Sequence, residues 1–258
     1  MSDYDQRFGG LARLYGVGGA EALRRAHVCV VGVGGVGSWS VEALARSGIG
    51  KLTLIDLDDV CVTNTNRQIH ALDGEIGRPK VEVMADRVRR INPECEIRAE
   101  VDFFTPSSAE ALIRAGAFDV VLDAIDQVPN KCLLLARCRD LQIPAVTVGG
   151  AGGRRDPARV AVDDLTRTQH DGLLRSVRRT LRADHGFPGG NARWGIPCVY
   201  STEQVVFPGA DGQVCDSPEP GVSLRLDCAS GFGTASFVTG TFGLVAASIV
   251  VNRIAAPA

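Results

Sequence analysis

Residues 30–50 read VVGVGGVGSWSVEALARSGIG: an apolar run, a cluster of glycines, then a stretch with helical character. Gly32, Gly34 and Gly37 form G-x-G-x-x-G, with Gly35 inside it, directly after a strand pattern and at the start of a helix pattern. That context lets the backbone turn tightly and brings peptide N–H groups close to a phosphate at a helix N-terminus, where the helix dipole favours an anion. The stretch therefore predicts a strand-turn-helix unit that binds a nucleotide.

Working outward, apolar runs of strand length recur at 27–32, 51–56, 96–101, 118–124 and 143–149. Helical patterns lie between them at 36–47, 78–91, 107–116 and 129–140. This alternation predicts an α/β fold, a Rossmann-like doubly wound and mostly parallel sheet, with its ligand beyond the carboxyl ends of the strands. Residues 1–25 read as a helical lead-in and 26–150 as the nucleotide-binding core. From 151 the alternation fails and glycine and proline become frequent, with further strands suggested only at 158–162 and 198–207. Residues 151–258 are read as a substrate-facing elaboration and C-terminal helix of one domain spanning 1–258.

Composition sets bounds on the function. The 258 residues carry a net charge of −2 and 45% hydrophobic residues, which excludes a disordered chain and a generally basic nucleic-acid binder. Eight cysteines include no CxxC pair, so no zinc site is predicted, and reduced thiols suit a cytoplasmic chain better than a disulfide framework. The N-terminus has no apolar signal core. The uncharged stretch from Cys228 to Asn252 is long enough to span a bilayer. Its glycines, and the lone Arg253 beyond it, favour a helix buried in the core or at a dimer contact; no stable membrane insertion is expected, and peripheral association stays open.

Several polar residues fall where ligand contacts belong. Asp56 ends the second strand, the position of an acid that accepts ribose hydroxyls, with Asp58 just beyond it. Asn66, Arg67 and Gln68 follow, then Lys80, one of three lysines in the chain. That polar density suits the β- and γ-phosphates of a triphosphate better than a nicotinamide cofactor. Asp123 and Asp126 close the fourth strand; such a pair suits Mg²⁺ held together with substrate phosphates, while Asp123 alternatively caps the following helix. Between Arg154 and Arg193 nine arginines meet five aspartates. Leu173, Leu174, Val177 and Leu181 form one helical stripe, leaving Arg175, Arg178, Arg179 and Arg182 largely on the other side. Trp194 either covers a nucleotide, stacks on a base or packs.

Taken together, these residues resemble the E1-like activating enzymes (the ThiF/MoeB/HesA family), which adenylate a carboxylate with ATP. The glycine turn, Asp56, the Asn66-Arg67-Gln68 triplet, Lys80 and the Asp123/Asp126 pair match that family's motifs. The phrases RFGGLARLYG, DDVCVTNTNRQIHAL, INPEC, VTVGGAGGRRDP and DCASGFGTASFVTGTFG, which with the turn span residues 7–243, are most similar to the branch that dehydrates threonylcarbamoyladenosine in tRNA. The resemblance implies ATP and Mg²⁺ with Asp126, phosphate contacts from Arg67 and Lys80, and a tRNA substrate. Arg7, with Arg13 as a second candidate, stands where the family reaches the partner subunit's ATP, which implies a homodimer. A cysteine desulfurase and its sulfur acceptor are associated with family members. Cys228, ahead of the last helix, is either a thiolate that takes part in the chemistry or a packing residue. The alternative activity is adenylation of a sulfur-carrier or ubiquitin-like protein's C-terminus. An NAD-dependent oxidoreductase and a nucleotide sensor without turnover are the readings from other classes.

Overall fold

The computed structural model describes residues 2–102, 104–105, 108–109, 113, 116–209, 212–218 and 232–256. Helix α1 (Asp3–Arg25) leads into strand β1 (His27–Val31), helix α2 (Gly37–Arg46) and strand β2 (Lys51–Ile55). Then come α3 (Lys80–Ile91), β3 (Glu96–Glu100), β4 (Val120–Asp123), α4 (Val128–Asp140) and β5 (Ala145–Val148). The chain continues through β6 (Val160–Asp164), α5 (Gly172–Asp184) and β7 (Pro197–Ser201) to a short β8/β9 hairpin (Phe207–Pro208, Val214–Cys215). It closes with α6 (Ser236–Ala255). The helix expected at 107–116 falls mostly outside the described residues.

Seven strands form one sheet in the order β3-β2-β1-β4-β5-β7-β6, parallel throughout except for β6, which pairs antiparallel with β7. Both faces are covered, and β1 shows how. Val28 and Val30 join one core with Leu44, Leu54, Val88 and Phe242, while Cys29 and Val31 join the opposite core with Leu134 and Cys138. A strand buried on both sides reads as a continuous apolar run, which is why HVCVV lacks polar alternation. The segment after β5 extends this same sheet through β6 and β7, and α5 packs on α4 in a third cluster containing Leu135, Leu174, Val177 and Cys198. The run expected at 198–207 stops at Ser201, because the Glu203 carboxylate accepts backbone N–H bonds from Arg155 and Asp156 and draws the chain out of the sheet.

Helix α6 is long and apolar enough to cross a membrane, but one side of it lies in the core, where Val238, Phe242, Ala246 and Val250 are wholly buried, while Phe237 and Leu244 are exposed. One of its glycines, Gly243, is required by packing. A Cβ there would lie 2.5 Å from the Val36 carbonyl oxygen and 2.7 Å from Trp39 Cβ, so only glycine permits this close crossing of α2 and α6.

Candidate nucleotide site

The strand order reverses at β1 and β4, and the glycine turn sits at the carboxyl end of β1 in that crevice, where doubly wound sheets bind ligands. Gly32 has φ +88°, a left-handed conformation, and a Cβ on it would lie 2.8 Å from the Ala124 carbonyl oxygen just past β4. At Gly37 a Cβ would meet the Gly32 carbonyl oxygen at 1.8 Å. The turn therefore folds onto itself and onto the end of β4. Helix α2 starts from it with Val36 as N-cap and no side-chain cap; the Ser38 N–H donates to the Gly34 carbonyl, and no side chain bonds the N–H groups beside it.

Asp56 fastens the second strand to this turn. Its carboxylate accepts from the Val33 N–H at 2.6 Å and from the Asp58 N–H at 2.9 Å. Burial raises its pKa, while Lys80 and the two N–H bonds pull the other way. The Lys80 side chain is buried, and its Nζ donates to Asp58 Oδ2 at 2.6 Å. The segment that carries Asn66, Arg67 and Gln68 is clamped from two helices. The Arg67 carbonyl accepts from Trp39 Nε1 at 3.0 Å and Thr239 Oγ1 at 3.1 Å, and Asn66 Nδ2 donates to the Thr234 carbonyl at 2.9 Å. The clamp lays the Arg67 stem over Gly35, with Cγ and Cδ 3.6 Å from where a Cβ would stand, and brings Gln68 Nε2 within 4.0 Å of the same position on Gly34. The guanidinium donates to the Thr63 carbonyl and to Asn66 Oδ1. Asp126 lies three residues past β4, exposed, with no hydrogen bond or ion pair among the described residues.

The ThiF family model matches residues 7–254. The chain belongs to the ThiF family. This ThiF-family chain is 51% identical over 255 residues to the tRNA threonylcarbamoyladenosine dehydratase of Escherichia coli (strain K12), covering 98% of this chain and 95% of the relative. It is 47% identical to the relative of that name from Haemophilus influenzae, with the same coverage. Among solved structures it is similar to the crystal structure of E. coli tRNA N6-threonylcarbamoyladenosine dehydratase, TcdA, in complex with ATP. The TM-score is 0.86 at 47% identity, covering 98% of this chain and 96% of that one. The E. coli molybdopterin-synthase adenylyltransferase is 38% identical over only half of each chain.

One expectation about this ThiF-family site needs correction. Asp123 was expected to touch nucleotide or metal, or to cap a helix. It is instead wholly buried beneath the site, paired with Lys131 at 2.9 Å and accepting from Thr147 Oγ1 at 2.6 Å and the Ile125 N–H. A carboxylate already engaged by an ammonium, a hydroxyl and an amide has no free face for Mg²⁺. Of the three readings of Trp194 the fold shows packing: it lies edge-on against Phe187 and donates to the Pro188 carbonyl, on the α5 side of the molecule.

The remaining expected residues divide by position. Arg7 sits on α1, ion-paired with Asp3. One turn earlier Tyr4 donates to the Gly48 carbonyl, next to the amino end of β2, so Arg7 lies at the opposite end of the sheet from its own glycine turn. Arg175, Arg179 and Arg182 are exposed along α5 and border, with Arg178 and Ala183, a cleft of about 510 Å³. Arg178 is half-buried and donates to the Leu165 carbonyl and to Thr168 Oγ1. Cys228 lies outside the described residues. The buried thiols among the others are poor nucleophiles, since burial pushes Cys95 and Cys138 up to about 12 and Cys132 to about 11. Trp39, Thr239 and Lys131 were missed from the sequence, because their roles are contacts to segments 28, 172 and 8 residues distant: Arg67 for the first two, Asp123 for the third.

Proposed function

We propose that this chain is an ATP-dependent dehydratase that cyclises the threonylcarbamoyl group of a tRNA adenosine by adenylating its carboxylate. The observation that carries the reading is the convergence of the glycine turn, Asp56, Arg67 and Lys80 at the β1/β4 crevice, in a chain similar over nearly its whole length to relatives named for that reaction.

The chemistry begins from a carboxylate, a poor acyl donor because oxide is a poor leaving group. A carboxylate oxygen attacks the α-phosphorus of ATP, the bond to the β-phosphate breaks, and pyrophosphate leaves. The acyl-adenylate then carries AMP as its leaving group. A nucleophilic atom of the same threonylcarbamoyl group attacks the acyl carbon, AMP departs and a proton passes to solvent. Water is lost overall, and its oxygen leaves within AMP.

The chain's part is positioning and charge neutralisation. Asp56 is placed to accept ribose hydroxyls, and the uncapped start of α2 to donate to phosphate. Arg67 offers a planar, two-pronged donor and Lys80 a compact charge. Mg²⁺ fits Asp126, an exposed carboxylate with unengaged oxygens beside the crevice, and bound there it would offset phosphate charge. Arg7 cannot reach its own crevice: a five-residue strand spans roughly 16 Å, and Arg7 stands at the far end. It acts on a second subunit's ATP in a homodimer. The arginines of α5 have no carboxylate partners among the described residues, and serve as a phosphate-binding face for tRNA. Asp171 aims this helix by accepting from the Gly150 N–H just past β5 and the Leu174 N–H, so α5 starts at the crevice end of the sheet.

The test uses tRNA whose threonylcarbamoyl carboxylate is labelled with ¹⁸O, incubated with ATP and the protein. The expected result is a nucleoside lighter by one water and AMP that carries the label. Label in bulk water, or a nucleoside of unchanged mass, overturns the reading. Arg67→Ala is expected to slow the labelled transfer roughly a hundredfold.

A further inference from the structure

A second cavity, of about 290 Å³, opens between the end of α2, the outer side of α3 and the segment that follows Gln68. Leu72 and Ile91 form an apolar wall, and Arg46, Arg87 and Arg90 bring positive charge to it. His70 lines this cavity and is 1% exposed, yet neither ring nitrogen has a hydrogen-bond partner. Buried imidazole nitrogens are normally bonded, so an unpartnered pair on a side chain that lines a cavity marks a place where a ligand can supply the missing atoms. The charges around it are unbalanced. Glu42 is shared between Arg46 and Arg87, and Arg78 and Arg89 take up Glu75 and Asp86, the two carboxylates of the lining, so the lining itself holds three arginines against two carboxylates. Arg90 is exposed and has no ion-pair partner among the described residues. The same surplus acts on His70: burial, Lys80 and Arg87 together lower its pKa to about 4, leaving a neutral ring with one donor and one acceptor.

We propose that this cavity binds a phosphate-type anion, with a His70 ring N–H and the guanidinium groups of Arg90 and Arg46 as donors, at a site separate from the nucleotide crevice. The excess positive charge of the lining attracts an oxyanion, and a neutral histidine donates to it without adding charge. The site is mechanically joined to the crevice: Ala71 N–H bonds back to the Gln68 carbonyl and Gln68 N–H to that of Asn64, so His70 and Arg67 ride on one compact turn. Free phosphate and the pyrophosphate released by carboxylate adenylation share this chemistry. The site itself does not depend on the proposed dehydratase reading.

The experiment measures the thermal midpoint and binding isotherm of the full chain with inorganic phosphate and, separately, pyrophosphate, against chloride at matched ionic strength. At ten times Kd the occupied site is expected to raise the midpoint by about 3–6 °C. Arg90→Ala, at an exposed position that should leave folding intact, is expected to weaken binding about tenfold, and His70→Leu to weaken it further. Arg67→Ala, which cripples the nucleotide crevice, is expected to keep the response. No response beyond chloride overturns the proposal, as does an undiminished response in Arg90→Ala. Loss of the response in Arg67→Ala overturns it too, since the anion would then sit in the nucleotide crevice. A response to pyrophosphate at lower concentration than phosphate identifies the released product as the occupant; the reverse order identifies free phosphate.

Discussion

The Asp123–Lys131 pair offers the sharpest test of the site's architecture, because two neighbouring aspartates are assigned opposite duties. Both members of the pair are wholly buried and 2.9 Å apart. At an effective dielectric of about 20 their attraction is of order 6 kcal/mol, offset by several kcal/mol for dehydrating each ion. The intact pair is therefore close to neutral for stability, whereas removal of one partner strands a buried charge. Lys131→Met leaves Asp123 with Thr147 and the Ile125 N–H as its remaining donors, and is expected to cost about 3–5 kcal/mol. For a chain of this size that lowers the thermal midpoint by roughly 6–20 °C. Adding Asp123→Asn to Lys131→Met removes the stranded charge and should recover at least half of the loss, a non-additivity that a double-mutant cycle reads directly. The companion assay is ATP binding. Asp123→Asn alone should destabilise the fold while shifting ATP affinity by less than about threefold, and Asp126→Asn should do the reverse, weakening ATP with Mg²⁺ roughly tenfold or more at unchanged midpoint. An Asp123→Asn protein of normal stability that no longer binds ATP would refute the burial argument and return Asp123 to the ligand set.

Gly243→Ala puts a methyl group against the Val36 carbonyl and Trp39. Calorimetry should show a loss of about 1–3 kcal/mol, and the displaced Trp39–Arg67 clamp should raise the KM for ATP more than it lowers kcat. If Arg7 acts across a dimer, neither Arg7→Ala nor Asp126→Asn protein is active alone. Reassorted mixtures should recover about a quarter of wild-type turnover, because half the dimers are mixed and each has one complete site; no recovery would exclude action in trans. His70 predicts a slope in acid stability. Its folded pKa of about 4 lies below the ordinary 6.5, so the unfolded chain binds the extra proton between those values. Stability should fall as pH drops from about 6.5 to 4, by up to about 3 kcal/mol in phosphate-free buffer, and His70→Leu should flatten that limb in urea titrations.

Much of this protein could be read without coordinates because the relevant forces act locally. The order of strands and helices follows from runs such as HVCVV, and the nucleotide turn from its glycine spacing, since Gly32 takes a left-handed backbone and Gly37 leaves no room for a side chain. Asp56 and Arg67 were candidates for the same reason, standing at set distances beyond a strand end. What tertiary structure decided were the partnerships between distant segments. Asp123 and Asp126 look equivalent in DAID, and only the arrival of Lys131 and Thr147 under β4 separates the structural acid from the exposed one. The arginines of α5 looked alike until the fold turned Arg178 onto Leu165 and Thr168 and left its neighbours in solvent. His70 gave no local signal at all, since its cavity is assembled from α2, α3 and the loop between β2 and α3. Local patterns specify the backbone path; the environment of a charge depends on which remote side chains share its space, and that is settled only when the elements pack.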